Sequence, residues 1–194
     1  MSTNEITPFR VDVYSNNVII GSVMVSKNNP GKYSIIDSGF TTTTNRERII
    51  TKLQSDLFKP VGKGIYLKGE KPFFASLRFS VNQHAEIITS KGAAGMGTEF
   101  YATPAPIEAN LSNVGFMTSI MAKEDGTVVN IDNFNPSVSF SDGVTRSSFT
   151  INLNKGQSYI IDGRIASGGT NINTNPNKYG FIGAKITSNA DIIR

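Results

Sequence analysis

Apolar and polar residues alternate along much of this chain, and the alternation predicts strands. Phe9–Tyr14 and Phe149–Leu153 alternate residue by residue, which is the period of a half-buried β-strand. Val18–Val25 is a second strand, rich in β-branched residues, and Gly115–Ala122 is another. Shorter strands are predicted at Lys32–Ile36, Gly64–Lys68, Phe73–Val81, Thr127–Ile131, Ser158–Ile161 and Phe181–Thr187.

Turn residues separate these segments. Asn16-Asn17 makes a turn, and Asp125-Gly126 within Lys123–Gly126 is a strong hairpin signal. Asn154–Gln157 turns the chain back before Ser158. Longer polar loops are predicted over Thr41–Arg46 and over the Gly/Asn-rich residues 163–178.

The predicted fold class is all-β, with two related antiparallel β-sandwich-like units at residues 1–90 and 91–194. A weak internal echo supports the relation. Gly64–Phe74 and Gly183–Ile193 both open on glycine, pass through a polar four-residue turn and end on an apolar pair. Only Ile49–Phe58 has apolar spacing that fits either a helical turn or a broken strand, so any short helix is expected near residues 50–58.

Composition agrees with this architecture and narrows the classes of protein. Asn, Ser, Thr and Gly are abundant among the 194 residues, and hydrophobic residues make up 38%. The absence of Cys excludes disulfides and thiolate sites, and it fits either a cytosolic protein or a bacterial surface protein. The formal charge of +4 is scattered without a basic run, which argues against a nucleic-acid or membrane-surface protein.

The two ends of the sequence suggest a piece of a larger protein. Met1–Glu5 has no basic or apolar region of a secretion signal, and no apolar run approaches the roughly 18–20 residues that span a bilayer. Asp191–Arg194 looks like a strand in progress and not like a polar tail.

Candidate catalytic, nucleotide and metal sites are weak. His84 is the only histidine, and a triad or a zinc site needs more partners, so a surface or strand-end role is predicted. Gly92–Gly97 lacks the Gly-Lys-Ser/Thr ending of a phosphate-binding loop, and Thr98–Tyr101 after it is predicted to be a strand and not a helix.

Acidic residues leave one metal alternative. Glu124, Asp125 and Asp132 lack the spacing of an EF-hand loop, and turn chemistry accounts for Asp125-Gly126. The expectation is therefore no cofactor, with calcium bound in a loop as the alternative.

Tyrosine is the aromatic residue available for binding sugars, because the chain has no Trp. Its tyrosines are expected to pack at strand edges with their hydroxyls in water, and they are the candidates for stacking on a glycan. They are Tyr14, Tyr33, Tyr66, Tyr101, Tyr159 and Tyr179.

Three parts of the chain together resemble a known family. They are Ala85–Phe100, with its Ser-Lys-Gly-Ala-Ala-Gly-Met-Gly-Thr-Glu-Phe string, Ala122–Ile131, and Leu153–Tyr159 taken with Gly183–Ile186. The chain resembles the IgGFc-binding-protein N-terminal domain over roughly residues 48–194. It is most similar to the version in large Bacteroidota surface proteins, which include gliding-motility-associated adhesins exported by type IX secretion.

The resemblance implies an extracellular, cell-surface, β-rich and repetitive binding or stalk module. It transfers no ligand-binding residue, and antibody Fc binding is a property of the animal members. The hypothesis is a non-enzymatic adhesion or structural β module of a large bacterial cell-surface protein. Its partners would be neighbouring domains and a glycan or protein ligand, with no nucleic acid and no membrane insertion. The alternative is a carbohydrate-binding module of a secreted enzyme, and a small hydrolase is a third interpretation.

Overall fold

The computed structural model describes residues 1–34, 51, 54–81, 84–105, 115–164 and 174–194. Eleven strands and short 3-10 segments make up the regular structure of this part of the chain, and it contains no α-helix. The all-β prediction is confirmed. The strands are β1 (Phe9–Ser15), β2 (Val18–Val25), β3 (Tyr66–Gly69), β4 (Ser76–Val81), β5 (His84–Thr89), β6 (Met96–Tyr101), β7 (Gly115–Ala122), β8 (Thr127–Asp132), β9 (Phe149–Leu153), β10 (Ser158–Arg164) and β11 (Lys185–Ile193).

The chain divides into two compact units. Unit 1 comprises residues 1–50 and 63–95, and unit 2 comprises residues 51–62 and 96–194. Unit 2 therefore includes a segment that lies between two parts of unit 1 in the sequence. The division that the sequence suggests, 1–90 and 91–194, stays a prediction.

Unit 1 contains a three-stranded antiparallel sheet in the order β2-β1-β3. Asn16 and Asn17 join β1 to β2 with φ of 47° and 61°, the left-handed pair that a two-residue hairpin of type I′ requires. Strand β1 buries Phe9 and Val11 against Val25, so one face of the sheet is apolar and the other is open. Strands β4 and β5 form a separate two-stranded ribbon.

Unit 2 contains a six-stranded sheet in the order β10-β7-β11-β8-β9, with β6 paired to β11. Strand β11 pairs with β8 through Lys185–Ser188 and with β7 through Ile192 and Ile193. An irregularity between Thr187 and Ile192 separates the two stretches of its pairing with β6. Strand β11 thus joins one half of the sheet, β10-β7, to the other half, β8-β9.

Both halves of the sheet contribute to one core. Strand β7 buries alternate residues such as Phe116 and Ile120, and β8 and β9 bury Val129, Ile131 and Ile151. Strands β7, β8 and β9 each have one buried face, whereas β10 is buried at every residue from Ser158 to Gly163. Their buried apolar residues share one cluster, so the sheet packs on itself in the manner of a sandwich. Gly163 faces Phe116 across β10 and β7, where a Cβ atom would lie 2.1 Å from the Phe116 ring.

Several predicted strands match the structure in their bounds, whereas strands predicted next to turns begin at other residues. Val18–Val25, Gly115–Ala122 and Phe149–Leu153 are strands with the predicted bounds. The strand predicted from Phe73 begins only at Ser76, after an isolated bridge at Phe74. A 3-10 turn at Gln54–Asp56 lies inside the segment where a short helix was expected.

Two further predictions are wrong. Lys32–Ser34 are not in a strand, because the Tyr33 ring packs over Gly21 of β2 and its hydroxyl donates to the Ile20 carbonyl at 2.8 Å. The strand predicted from Phe181 begins at Lys185, and Phe181 lies in a turn with its ring in the core of unit 2.

The internal echo is not reproduced. Ser188–Asp191, expected to form a turn, lies within the continuous strand β11. The echo matches the segment around Gln54–Asp56 to the hairpin of β9 and β10, but Gln54–Asp56 forms a 3-10 turn. The sheets of the two units also differ in strand number and order. The loop Thr41–Arg46, residues 35–36, and 165–173 of the predicted loop 163–178 lie outside the described residues.

Candidate ligand-binding site

The open face of the unit 1 sheet carries alternating polar and aromatic side chains. On β1, Arg10, Asp12 and Tyr14 point away from the buried side because they alternate with buried residues. The register places Tyr66 of β3 beside Tyr14 and Lys68 beside Asp12. Two strands that are distant in the sequence therefore build one surface.

The aromatic part of this surface is a stacked pair. The rings of Tyr14 and Tyr66 lie with centroids 4.7 Å apart and planes within 4° of parallel. The Tyr66 hydroxyl donates to Oδ1 of Asn17 at 2.8 Å, which ties the pair to the β1–β2 turn. Partial burial, and then the neighbouring Tyr14, raise the pKa of Tyr66 above its ordinary value, so this hydroxyl keeps its proton.

A shallow groove of about 130 Å³ lies next to the pair. Arg10 Nε donates to Asp12 Oδ1 at 2.5 Å, so one cation and one anion of the groove are already joined. The groove thus offers donors, acceptors and an aromatic edge in a volume suited to one small polar group. Its lining residues are Arg10, Asp12, Tyr14, Lys68, Gly69 and Glu70.

The other tyrosines do not join this surface. The Tyr159 ring lies in the core of unit 2, and Tyr101 is half exposed on β6. Tyr179 is exposed, with the Lys178 ammonium 5.1 Å from its ring centroid. The structure therefore brings together only Tyr14 and Tyr66 among the described tyrosines.

The residues considered for catalysis, nucleotides and calcium are dispersed. His84 begins β5, which fits the strand-end prediction. Gly92–Gly95 forms a single 3-10 turn that leads into strand β6 and not into a helix, as the sequence predicts. Asp125 Oδ1 accepts the Lys155 N–H at 2.9 Å, so this carboxylate links two hairpin turns. Within the described residues, no group of three or more His, Cys, Asp or Glu side chains could hold a metal ion.

Unit 2 contains an arginine site that sequence reasoning missed. The Arg146 guanidinium lies 5.1 Å, 5.7 Å and 5.2 Å from the ring centroids of Phe58, Phe140 and Phe149. Arg146 also makes two hydrogen bonds to the carboxylate of Asp142, one of them 2.9 Å long. This hydrogen bonding lowers the pKa of Asp142 and raises that of Arg146.

This arrangement fastens the loop between β8 and β9 to the core and leaves no charge for a ligand. The Asp142 carboxylate also accepts the Val144 N–H at 3.0 Å, so the loop is held at three neighbouring points. The only sequence signal was the spacing of Asp142 and Arg146, four residues apart outside any predicted helix.

Comparison with known proteins gives a family assignment for the second half of the chain. The family model described as IgGFc binding protein matches residues 85–193, which is more than half of the chain. The chain belongs to the IgGFc-binding protein family. The matched segment includes all the strands of unit 2 and β5 apart from His84, but not residues 51–62.

The family segment begins at Ala85, the first residue of the first motif string, and not at about residue 48, from which the resemblance was expected to extend. The groove on β1 and β3 lies outside the family segment. No curated protein and no solved structure is significantly similar to the chain. None of the helical segments in the described residues is long and apolar enough to cross a membrane.

Proposed function

We propose that this chain is a non-enzymatic, extracellular adhesion or structural module of a large bacterial cell-surface protein. The observation that carries the proposal is the IgGFc-binding family match, which covers the whole strand set of unit 2. The motif resemblance favours a Bacteroidota protein exported by type IX secretion and associated with gliding motility. Neighbouring domains of the same protein would then be its constant partners.

The core of unit 2 allows a role outside the cell without disulfides. The chain contains no Cys, and unit 2 buries an apolar cluster that includes several aromatic rings, so its fold needs no disulfide. A fold that depends on apolar burial and not on disulfides tolerates both oxidising and reducing surroundings.

Surface exposure is the first test. Intact cells that make the protein would be treated with a protease and then probed with an antibody raised against residues 96–194. We expect the epitope to disappear while a cytosolic marker survives. An epitope that is lost only after lysis would overturn the surface assignment.

Adhesion is the second test. Deleting residues 1–194 from the gene should reduce attachment of cells to glass or to neighbouring cells, with export of the remaining protein unchanged on immunoblots. Equal attachment with and without the module would favour a purely structural role. Turnover in a hydrolase screen that one Asp or Glu substitution abolishes would overturn the non-enzymatic assignment.

A second candidate function rests on the groove beside Tyr14 and Tyr66, which favours a carbohydrate-binding module of a secreted enzyme. Sugar hydroxyls bind to paired charged side chains such as Arg10 and Asp12, and aromatic rings pack against sugar rings. The groove has room for one small polar group, such as the hydroxyl-bearing edge of a sugar unit at the end or side of a glycan.

A glycan array tests this candidate. We expect binding to defined glycans, lost in Tyr14→Ala, which removes the ring that lines the groove, and kept in Tyr179→Ala, because Tyr179 is exposed but lies outside the groove. Binding that survives Tyr14→Ala, or that both variants lose equally, would remove the groove as the site.

A further inference from the structure

Strand β10 has one edge without a partner strand. It lies at the end of the six-stranded sheet and pairs only with β7 among the described strands. Exposed strand edges present unpaired backbone groups that another extended chain can join.

A short segment of the chain covers part of this edge. The N–H of Val61 donates to the Ser158 carbonyl at 2.9 Å, and the N–H of Ser158 donates to the Val61 carbonyl at 2.8 Å. The N–H of Phe58 donates to the Ile160 carbonyl at 3.0 Å. We call residues 54–61 the strap.

Side chains fix the strap to unit 2. The Phe58 ring meets the Phe140 ring edge-on, with centroids 6.1 Å apart, and carries the Arg146 guanidinium on its face. Val61 is buried. Phe58 has a φ of +56°, a conformation that bulky residues rarely adopt, so these contacts hold the backbone in an unfavourable region.

The strap comes from outside the part of the chain that it completes. The family match covers residues 85–193 and so includes β10 but not the strap. In the division of the structure, residues 51–62 are the only part of residues 1–95 that groups with residues 96–194. The part of the chain that supplies the strap, residues 1–95, is connected to the part that contains β10, residues 96–194, at Gly95 and Met96.

That connection has the composition of a hinge. Gly92, Gly95 and Gly97 lie within six residues, and Gly92 has a φ of +57° with no atom within 4 Å of the position that a Cβ would take. Glycine tolerates backbone conformations that other residues do not, so this segment can change direction without disturbing either side.

We propose that the outer edge of β10 is a strand-acceptor site whose occupant is exchangeable between two copies of this chain. In the exchanged form, residues 1–95 of one copy place their strap on β10 of the other, and the second copy does the same in return. The partner is a second copy because it supplies the same residues that already fit the edge, with no new surface required. The proposal holds wherever the protein is located.

An engineered disulfide detects the exchange. Val61 and Ser158 face each other as a hydrogen-bonded antiparallel pair, whose Cα atoms lie about 5.5 Å apart, within disulfide reach. The variant Val61→Cys/Ser158→Cys would contain the only two cysteines of the chain. It would be unfolded, refolded at high concentration, diluted, oxidised and run on a non-reducing gel.

We expect a covalent dimer of twice the 21.0 kDa chain mass beside the monomer. The matched control is Val128→Cys/Asn152→Cys, a facing pair on β8 and β9 inside residues 96–194, which should give monomer only. Intrachain disulfides alone in the first variant, or a dimer of equal yield in the control, would overturn the proposal.

Light scattering of cysteine-free protein provides a second measurement. Deleting Ala93 and Ala94 should raise the dimer fraction several-fold, because a short hinge hinders the strap from binding to β10 of its own chain. Inserting five Gly/Ser residues after Ala94 should lower the dimer fraction for the opposite reason. Phe58→Ala should speed interconversion about tenfold, since it removes the ring that anchors the strap. A dimer fraction that is the same for both hinge lengths would contradict exchange.

Discussion

The two units differ in how much apolar side chain they bury. Among the residues that the structure describes, the core cluster of unit 2 contains eighteen buried residues, whereas that of unit 1 contains Phe9, Val11 and Val25, with partly buried neighbours. In unit 2 the sheet packs on itself and covers both halves, while the unit 1 sheet has one open face. A larger shared core stabilises a fold more securely, so unit 2 is the firmer scaffold and unit 1 carries the open surface.

The units also differ in charge. Unit 1 has ten Lys and Arg against six Asp and Glu, whereas unit 2 has nine of each, so the whole excess of +4 belongs to unit 1. The candidate groove lies on this positive unit, and the family segment lies mainly on the neutral one. The candidate groove and most of the family segment therefore lie in different units.

The largest expected effect comes from the centre of the unit 2 core. Phe140 contacts the rings of Phe116, Phe134, Phe149 and Phe181. Phe140→Ala should lower the free energy of unfolding by about 3–5 kcal/mol, because it leaves a cavity among these rings. Urea unfolding followed by circular dichroism measures the change.

The matched control for Phe140→Ala is Phe74→Ala in unit 1, whose ring is 69% exposed. It should change stability by less than about 0.5 kcal/mol. Similar losses in the two variants would show that unit 2 does not depend on the ring cluster.

Amide hydrogen exchange compares the units without any substitution. Strands β4 and β5 form an isolated ribbon with exposed Leu77, Ile87 and Ile88, and isolated two-stranded sheets are marginally stable. Their amides should exchange at least about a hundredfold faster than those of β8, which lies inside the six-stranded sheet. Equal protection, measured by mass spectrometry of peptides, would contradict this ranking.

The arginine site of unit 2 should have a smaller effect. Arg146→Met removes the cation over three rings and the hydrogen bonds to Asp142, and it should cost about 1–2 kcal/mol. Lys123→Met is the control, since the pair of Lys123 with Asp191 is exposed at 3.1 Å and should contribute less than about 0.5 kcal/mol. If chemical denaturation shows the same loss of unfolding free energy for both variants, the contacts of Arg146 with the three rings add nothing to stability.

The smallest expected effect is on the acid dependence of stability, through the carboxylate of Asp142. The hydrogen bond from Arg146 lowers the pKa of Asp142 below its ordinary 3.8, so the folded state holds this proton less tightly than the unfolded state. The stabilisation is present above the unfolded pKa and is lost as pH falls through the lowered value. Asp142→Asn should therefore be less stable near pH 5 and show a shallower loss of stability on acidification.

Denaturation at several pH values compares this variant with the original chain. A slope that Asp142→Asn leaves unchanged would show that the Arg146 contact is not what acid disrupts.

The sequence by itself determined most of the local structure. Strict alternation located Phe149–Leu153, and Asn16-Asn17 and Asp125-Gly126 located turns, because side-chain period and positive φ are properties of neighbouring residues. The strings Ala85–Phe100, Ala122–Ile131 and Leu153–Tyr159 with Gly183–Ile186 together identified the family from short motifs.

Only the tertiary structure decided which strands meet and what they bring together. Strand β11 continues through Ser188–Asp191 because contacts from residues distant in the sequence hold this stretch. Ser188 pairs with β8, the Asn189 side chain accepts the Val128 N–H, and the Asp191 carbonyl accepts the Lys123 N–H. Tyr14 meets Tyr66, and Phe58 reaches Arg146, across long stretches of chain that no local pattern links. The groove and the strap both depend on such pairings, which are decided by long-range packing and not by the order of neighbouring residues.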